Sequence, residues 1–387
     1  MTREHLATRL VKGATEAVEG SPLIAPIYTS TTFVFDSAED VRRYQGGQSR
    51  KYLYSRYENP TVVEVEARVA ALDSAETGLL FSSGMAATAT TMMALLTAGD
   101  EVVCGAAVYG GTVHLLKDLL SNFSVTPRFV TLDELRDPAR LIGSRTRMVW
   151  FESPTNPTLR CVDVKAIAEA CGRADVLSVI DNTFATPVNQ QPLSLGVNLV
   201  MQSVTKYLNG HSDVTGGAVT GSRRLVDRIS KTRRLLGTVM DPTAAYALGR
   251  GLKTLLVRMD RHNASALAVA RALEQDGRVA RVYYPGLDSH PDHGLVKTQM
   301  SGFSGMLALD LKTSERAQRM FDRLRTIRRA ASLGGVESIA SLPVLTSHWG
   351  CSEQELSAAG ISPGMIRISI GLEDVGDLIE DLKQALD

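Results

Sequence analysis

The chain of 387 residues is 44% hydrophobic and 22% charged, and its 42 basic residues are matched by 42 acidic ones. That is the composition of a soluble globular protein with room for two or three cored domains, and the charge balance argues against nucleic acid as a partner. The four cysteines (Cys104, Cys161, Cys171, Cys351) form no CxxC pair; with no signal peptide in MTREHLATRLVKG and no apolar run of about 18 residues, a cytoplasmic protein without membrane contact is expected.

In chain order, residues 1 to about 60 read as an irregular arm, rich in Pro, Ser and Thr through SPLIAPIYTSTTFVF. Its apolar and aromatic residues (Ile27, Tyr28, Phe33, Phe35) need a surface to lie against, and a second subunit is a good candidate. Asn59-Pro60 marks a turn into a helix carrying Val62, Val65, Val69 and Leu72 on one face. From about residue 78 to 220 short apolar runs alternate with helical patterns: GLLFSS, a helix from Met85, EVVC, a helix near Gly111–Leu120, VTPRFV, TRMVWFES, a helix over Asp163–Cys171, VLSVID and NLVMQ. This alternation predicts an α/β fold with a mostly parallel sheet wrapped by helices. A long helical stretch then runs from Pro242 to Leu273, with Gly249 and Gly251 as expected kinks. The remainder (VARVYYPGL, FSGMLALDL, a helix near Glu315–Leu324, MIRISIG and a last helix from Glu373) reads as a smaller α/β unit.

Polar residues gather where the strands end, which is where open α/β sheets bind ligands. Asp181 ends one run, and Ser203-Val204-Thr205-Lys206 follows another. A strand-end acid and a lysine among hydroxyls are what a pyridoxal phosphate site requires, although such an acid is as readily a turn former and such a lysine a surface residue. Ser83 and Gly84 join a strand to a helix whose free amides suit a phosphate, or simply cap that helix. Tyr109 in VYGGT can stack on a flat cofactor or merely pack. Asn156 sits in the stiff loop ESPTNPT, where turns also use asparagine without a ligand. In MIRISIG, Ile366, Ile368 and Ile370 mark the buried face, so Arg367 points the other way, towards a carboxylate or a surface ion pair. HPDH at 290–293 lacks further ligand-type partners, and no metal is expected. Neither GxGxxG nor GxxxxGK[ST] occurs.

Together the segments YSRYENPT, FSSGMAA, VYGGT, ESPTNPTLRCVD, IDNTFATP, SVTKYLNGHSD, YYPGLDSHP, ASLGGVES and IRISIGLEDVGDL follow one another as in the cystathionine γ-synthase/γ-lyase family. The resemblance runs from about residue 20 to the end. It implies the fold of the fold-type I pyridoxal-phosphate enzymes: an arm (1–60) contacting a neighbouring subunit, a large cofactor-binding domain (61–253) and a small C-terminal domain (254–387). It further implies pyridoxal 5'-phosphate as cofactor and Lys206 as the Schiff-base lysine that carries protons between substrate carbons. Asp181 would pair with the pyridine nitrogen, with Thr183 nearby. Tyr109 would stack on the ring and serve the leaving group. Ser83, Gly84, Met85, Ser203 and Thr205 would hold the phosphate, joined by Tyr54 and Arg56 from a neighbouring subunit. Asn156, Ser332 and Arg367 would position the α-carboxylate of an amino-acid substrate. The active unit would then be at least a homodimer with shared sites, and a tetramer is common among relatives.

The activity implied is γ-elimination or γ-replacement on homoserine-derived and sulfur amino acids. Three departures bear on the substrate. Leu53 precedes the YSR motif where cystathionine-handling relatives often carry an acid, Ala331 stands where many have Glu before SLGG, and Gly111 replaces the cysteine typical of methionine γ-lyases. SHWG at 347–350 is an unusual variant of the family's Thr-His segment. The first two remove charge that would receive a distal ammonium, and so favour methionine or an O-acylhomoserine as substrate. Methionine γ-lyase and O-acylhomoserine sulfhydrylase are therefore the alternatives within the family, and a fold-type I aminotransferase is the alternative class.

Overall fold

The computed structural model describes residues 5–12, 22–49, 51–347 and 349–387. The large sheet comprises β1 (Thr77–Phe81), β2 (Glu101–Gly105), β3 (Thr126–Val130), β4 (Thr146–Glu152), β5 (Leu177–Asp181), β6 (Leu199–Gln202) and β7 (Gly217–Gly221), in the order β1-β7-β6-β5-β4-β2-β3. Only β7 runs against its neighbours; β6, β5, β4, β2 and β3 pair in parallel. The two-residue period of the strands serves two cores. Met148, Trp150, Leu199 and Met201 face the helices Gly84–Leu95 and Arg223–Leu236, while Val149, Phe151 and Val200 face the helix Val164–Arg173.

A second sheet comprises β8 (Arg281–Tyr283), β9 (Met306–Asp310), β10 (Arg328–Arg329), β11 (Ile339–Ser341) and β12 (Met365–Ser369), ordered β10-β11-β12-β9-β8. Ile366 and Ile368 pack on one side with the helices Ser314–Arg323 and Val375–Ala385. Met306, Ala308 and Met365 on the other side join a core shared with Leu80, Tyr207 and the helix Pro60–Leu72. The two sheets are thus welded by one apolar layer.

Three local expectations are corrected. The stretch Pro242–Leu273 is two helices, Pro242–Leu252 and Leu255–Glu274, rather than one kinked helix. The break falls at Lys253-Thr254, whereas Gly249 and Gly251 lie inside the first helix, where Val65 and the Asn209 backbone press against them. The arm is not wholly irregular: Leu6–Lys12 and Ala38–Gln45 are helical, the latter capped by Ser37. The helix expected near Gly111–Leu120 spans only Gly110–His114 and passes into a π-turn at Leu115–Leu119.

Candidate active site

A cavity of about 640 Å³ opens at the carboxyl ends of β4, β5 and β6 and is closed on its far side by β12 and the 331–333 loop. Ser83, Gly84, Met85, Tyr109, Asn156, Asp181, Thr183, Ser203, Thr205, Lys206, Ser332 and Arg367, drawn from segments far apart in the chain, all line it. Tyr54 and Arg56 do not. Arg56 lies on the surface, its guanidinium 5.7 Å from the centre of the Tyr54 ring and 4.9 Å from that of Tyr57.

Each side chain is held by identifiable chemistry. Asp181 ends β5, and its Oδ1 accepts from the Thr183 backbone N–H (3.0 Å) and from Thr183 Oγ1 (2.5 Å). Thr183 Oγ1 in turn accepts the Ser203 N–H at 2.8 Å, tying the β5 loop to the β6 loop. Burial raises the Asp181 carboxyl above its usual range, and the Thr183 hydrogen bonds and the Lys206 charge offset this only in part.

Lys206 Nζ donates to Ser332 Oγ at 2.7 Å. Burial, and then the Arg367 charge, lower its pKa to about 8 despite the opposing charge of Asp181. Ser332 holds a positive φ of 136°, unusual for a residue with a side chain. Its carbonyl accepts Arg367 Nη2 at 3.1 Å while Asn156 Oδ1 accepts Nη1 at 2.9 Å. Arg367 is only 7% exposed, and burial lowers its pKa to about 10. Among the described residues no acid pairs with it. A buried guanidinium bonded only to neutral acceptors is a receptor for an anion.

The opposite wall is the start of the helix Gly84–Leu95. Ser83 caps it, its Oγ accepting Ala86 N–H at 2.9 Å, which leaves the Gly84 and Met85 amides without helical acceptors. A side chain at Gly84 would meet Ser203 Cβ and Oγ at 3.2 Å, so the bare backbone keeps this anion cradle open. Thr205 Oγ1 lines the same wall but is engaged with Gly216, accepting its N–H at 2.9 Å. A helix start suited to an anion, a buried strand-end acid, a lysine with lowered pKa and a buried guanidinium without an acidic partner therefore stand in one cavity. This donor set fits pyridoxal 5'-phosphate.

Sequence reading did not single out Glu152, a second buried carboxyl at the end of β4 and in register with Asp181. Its position as the last residue of a parallel strand, like that of Asp181, was the available signal. Thr88 and Met201, also in the wall, carried none. Of the departures, Ala331 lines the cavity, Leu53 lies outside it, and His348 falls outside the described residues. Gly111 lies under the Tyr109 ring, where a Cβ would come within 2.5 Å of a ring carbon.

The model of the family described as Cys/Met metabolism PLP-dependent enzyme matches residues 7–387. Cystathionine gamma-lyase of Rattus norvegicus is 43% identical over 388 residues, 99% of this chain and 95% of that protein. L-methionine gamma-lyase of Pseudomonas deceptionensis is 41% identical over 385 residues, 98% of this chain and 96% of that protein. The crystal structure of cystathionine gamma-lyase from Lactobacillus plantarum complexed with L-serine superposes with a TM-score of 0.92 at 36% identity, covering 99% of this chain and 98% of that one. The chain belongs to the pyridoxal-phosphate-dependent enzymes of cysteine and methionine metabolism.

Proposed function

We propose that this enzyme cleaves or exchanges the Cγ substituent of a sulfur-containing or homoserine-derived amino acid, as the cystathionine γ-lyases and γ-synthases do. The carrying observation is the juxtaposition of Lys206, poised to lose its proton near pH 8, with the buried, acid-free guanidinium of Arg367. Arg367 and Asn156 receive the α-carboxylate, fixing Cα on the side of the cavity where Lys206 Nζ stands. Lys206 then moves protons from Cα and Cβ, steadied by Ser332 Oγ. Asp181, fixed by Thr183, would hold the pyridine nitrogen, and the Gly84 and Met85 amides with Ser83 and Ser203 would hold the phosphate. Pyridoxal phosphate supplies the electron sink that makes those protons removable. Tyr109, at the mouth, would stack on the ring and supply a proton to the departing group.

A second reading, an apolar-tailed substrate such as methionine, is favoured by Ala331, which places a methyl group in the wall where a carboxylate would receive a distal ammonium. Turnover of L-methionine but not of L-cystathionine would select it.

The lysine assignment has its own test. Apoprotein should capture pyridoxal phosphate, and borohydride reduction should fix it on the peptide containing Lys206. Because the neutral amine is the nucleophile, the capture rate should rise with pH through a midpoint near 8, rather than near the ~10.4 of an ordinary lysine. Lys206→Ala should yield no reduced adduct. An adduct on another lysine would overturn the assignment.

A further inference from the structure

Tyr109 presents a puzzle of positioning. The residue is 47% exposed at the cavity mouth, so packing alone does not fix it. It is the first residue outside a helix of five residues, Gly110–His114, and caps that helix without any side-chain bond. What holds it is its own main chain. Its carbonyl accepts the Thr112 N–H at 2.9 Å, and its N–H donates to Glu152 Oε1 at 2.6 Å. Glu152 is 5% exposed, with no charged partner among the described residues to offset its burial. It stands beside Asp181, its in-register neighbour on β5, in the same cavity wall.

We infer that Glu152 is a positioning residue: through the Tyr109 amide it sets where the Tyr109 ring lies over the cofactor. The inference rests on the reading of the cavity as the pyridoxal phosphate site. Supporting it, burial and the charge of Asp181 push the Glu152 carboxyl well above the usual range. Two carboxyls this close do not both ionise readily. Asp181 has Thr183 and Lys206 to stabilise its charge, so Glu152 is the partner that keeps its proton. A neutral side-chain carbonyl is sufficient to accept an amide hydrogen, and glutamine offers one in the same place.

The experiment pairs Glu152→Gln with Glu152→Leu in the holoenzyme, each also made in a Tyr109→Ala background. Glu152→Gln should keep the induced circular dichroism of the bound cofactor in the visible region, and Glu152→Leu should change it towards that of Tyr109→Ala. In the cycle, Glu152→Leu should lower kcat/KM by roughly 10-fold or more in the wild-type background and by less than about 2-fold beside Tyr109→Ala. Equal losses in both backgrounds would overturn the inference, as would a Glu152→Gln spectrum matching that of Glu152→Leu. If Glu152→Leu fails to fold, the Glu152→Gln spectrum still decides. Reduced-adduct mapping to Lys206 in every variant separates these outcomes from failure of the site reading itself.

Discussion

Asp73 shows how much a single buried carboxyl can shape stability. It follows the helix Pro60–Leu72, is fully buried, and accepts Thr220 Oγ1 at 2.7 Å, while its other oxygen and both polar atoms of nearby Gln202 lack partners. Burial raises its pKa to about 7, against the hydrogen bond from Thr220 and the pull of the nearby Gln202 amide. The folded state therefore holds a proton that an unfolded aspartate releases near pH ~3.9. Between those two values the native state binds more protons, so this residue's contribution falls as pH rises and stays low above about 7. Asp73→Asn, which needs no proton and can donate to Gln202 Oε1, should raise stability at pH 8 by roughly 1–3 kcal/mol and change little at pH 4. Urea unfolding at both values checks this; a loss of stability at pH 8 contradicts it. Such a residue was invisible in the sequence, because Asp73 reads as a helix-ending acid and only the fold places Thr220 and Gln202 against it.

The elements themselves were largely legible. Strands such as VLSVID and MIRISIG announced their type by β-branched content and by one buried face, and β12 indeed presents Ile366 and Ile368 to the small-sheet core with Arg367 on the other side. Polar residues at strand ends found the cavity, because parallel strands bring their carboxyl ends to one edge. What failed was local: the break at Lys253-Thr254 lacks a proline, and the two glycines before it serve close packing rather than bending. Glu152 ends its strand as Asp181 does, but only the fold sets the two side by side, in register on β4 and β5. The helix Gly84–Leu95 combines both kinds of evidence, its Ser-Gly start being visible in sequence and its orientation only in the fold. Ser83→Ala removes the bond to Ala86 N–H and should destabilise the protein by about 1 kcal/mol. The same change should weaken pyridoxal phosphate retention several-fold, since a frayed first turn no longer presents the Gly84 and Met85 amides. Cofactor release during dialysis measures the second effect; unchanged retention would separate the cap from the cradle.

At the scale of the molecule, residues 22–36 of the arm and the YSR segment point outward, whereas Leu10 packs into the core of its own chain. Leu23 and Val34 are 97% and 91% exposed, and Tyr54 and Arg56 stand away from the cavity of their own chain. Apolar exposure of this kind calls for a covering surface. We propose a homodimer as the smallest active unit, each Arg56 reaching the neighbour's phosphate. Two inactive variants should then complement each other. Lys206→Ala and Arg56→Ala, co-refolded in equal amounts, should recover roughly a quarter of native activity, because each mixed dimer contains one site with both residues intact. No recovery from the two inactive variants would contradict the sharing of sites between subunits.

Cleavage at Cγ is the step that defines the proposed reaction, and the product reports it directly. Mass spectrometry of the holoenzyme incubated with L-cystathionine and, separately, with L-methionine should find the four-carbon 2-oxobutanoate in at least one reaction, with cysteine or methanethiol released. Pyruvate with homocysteine from cystathionine would instead place the cleavage at Cβ, and accumulation of a stable pyridoxamine form would mark an aminotransferase. Either result would contradict the function proposed.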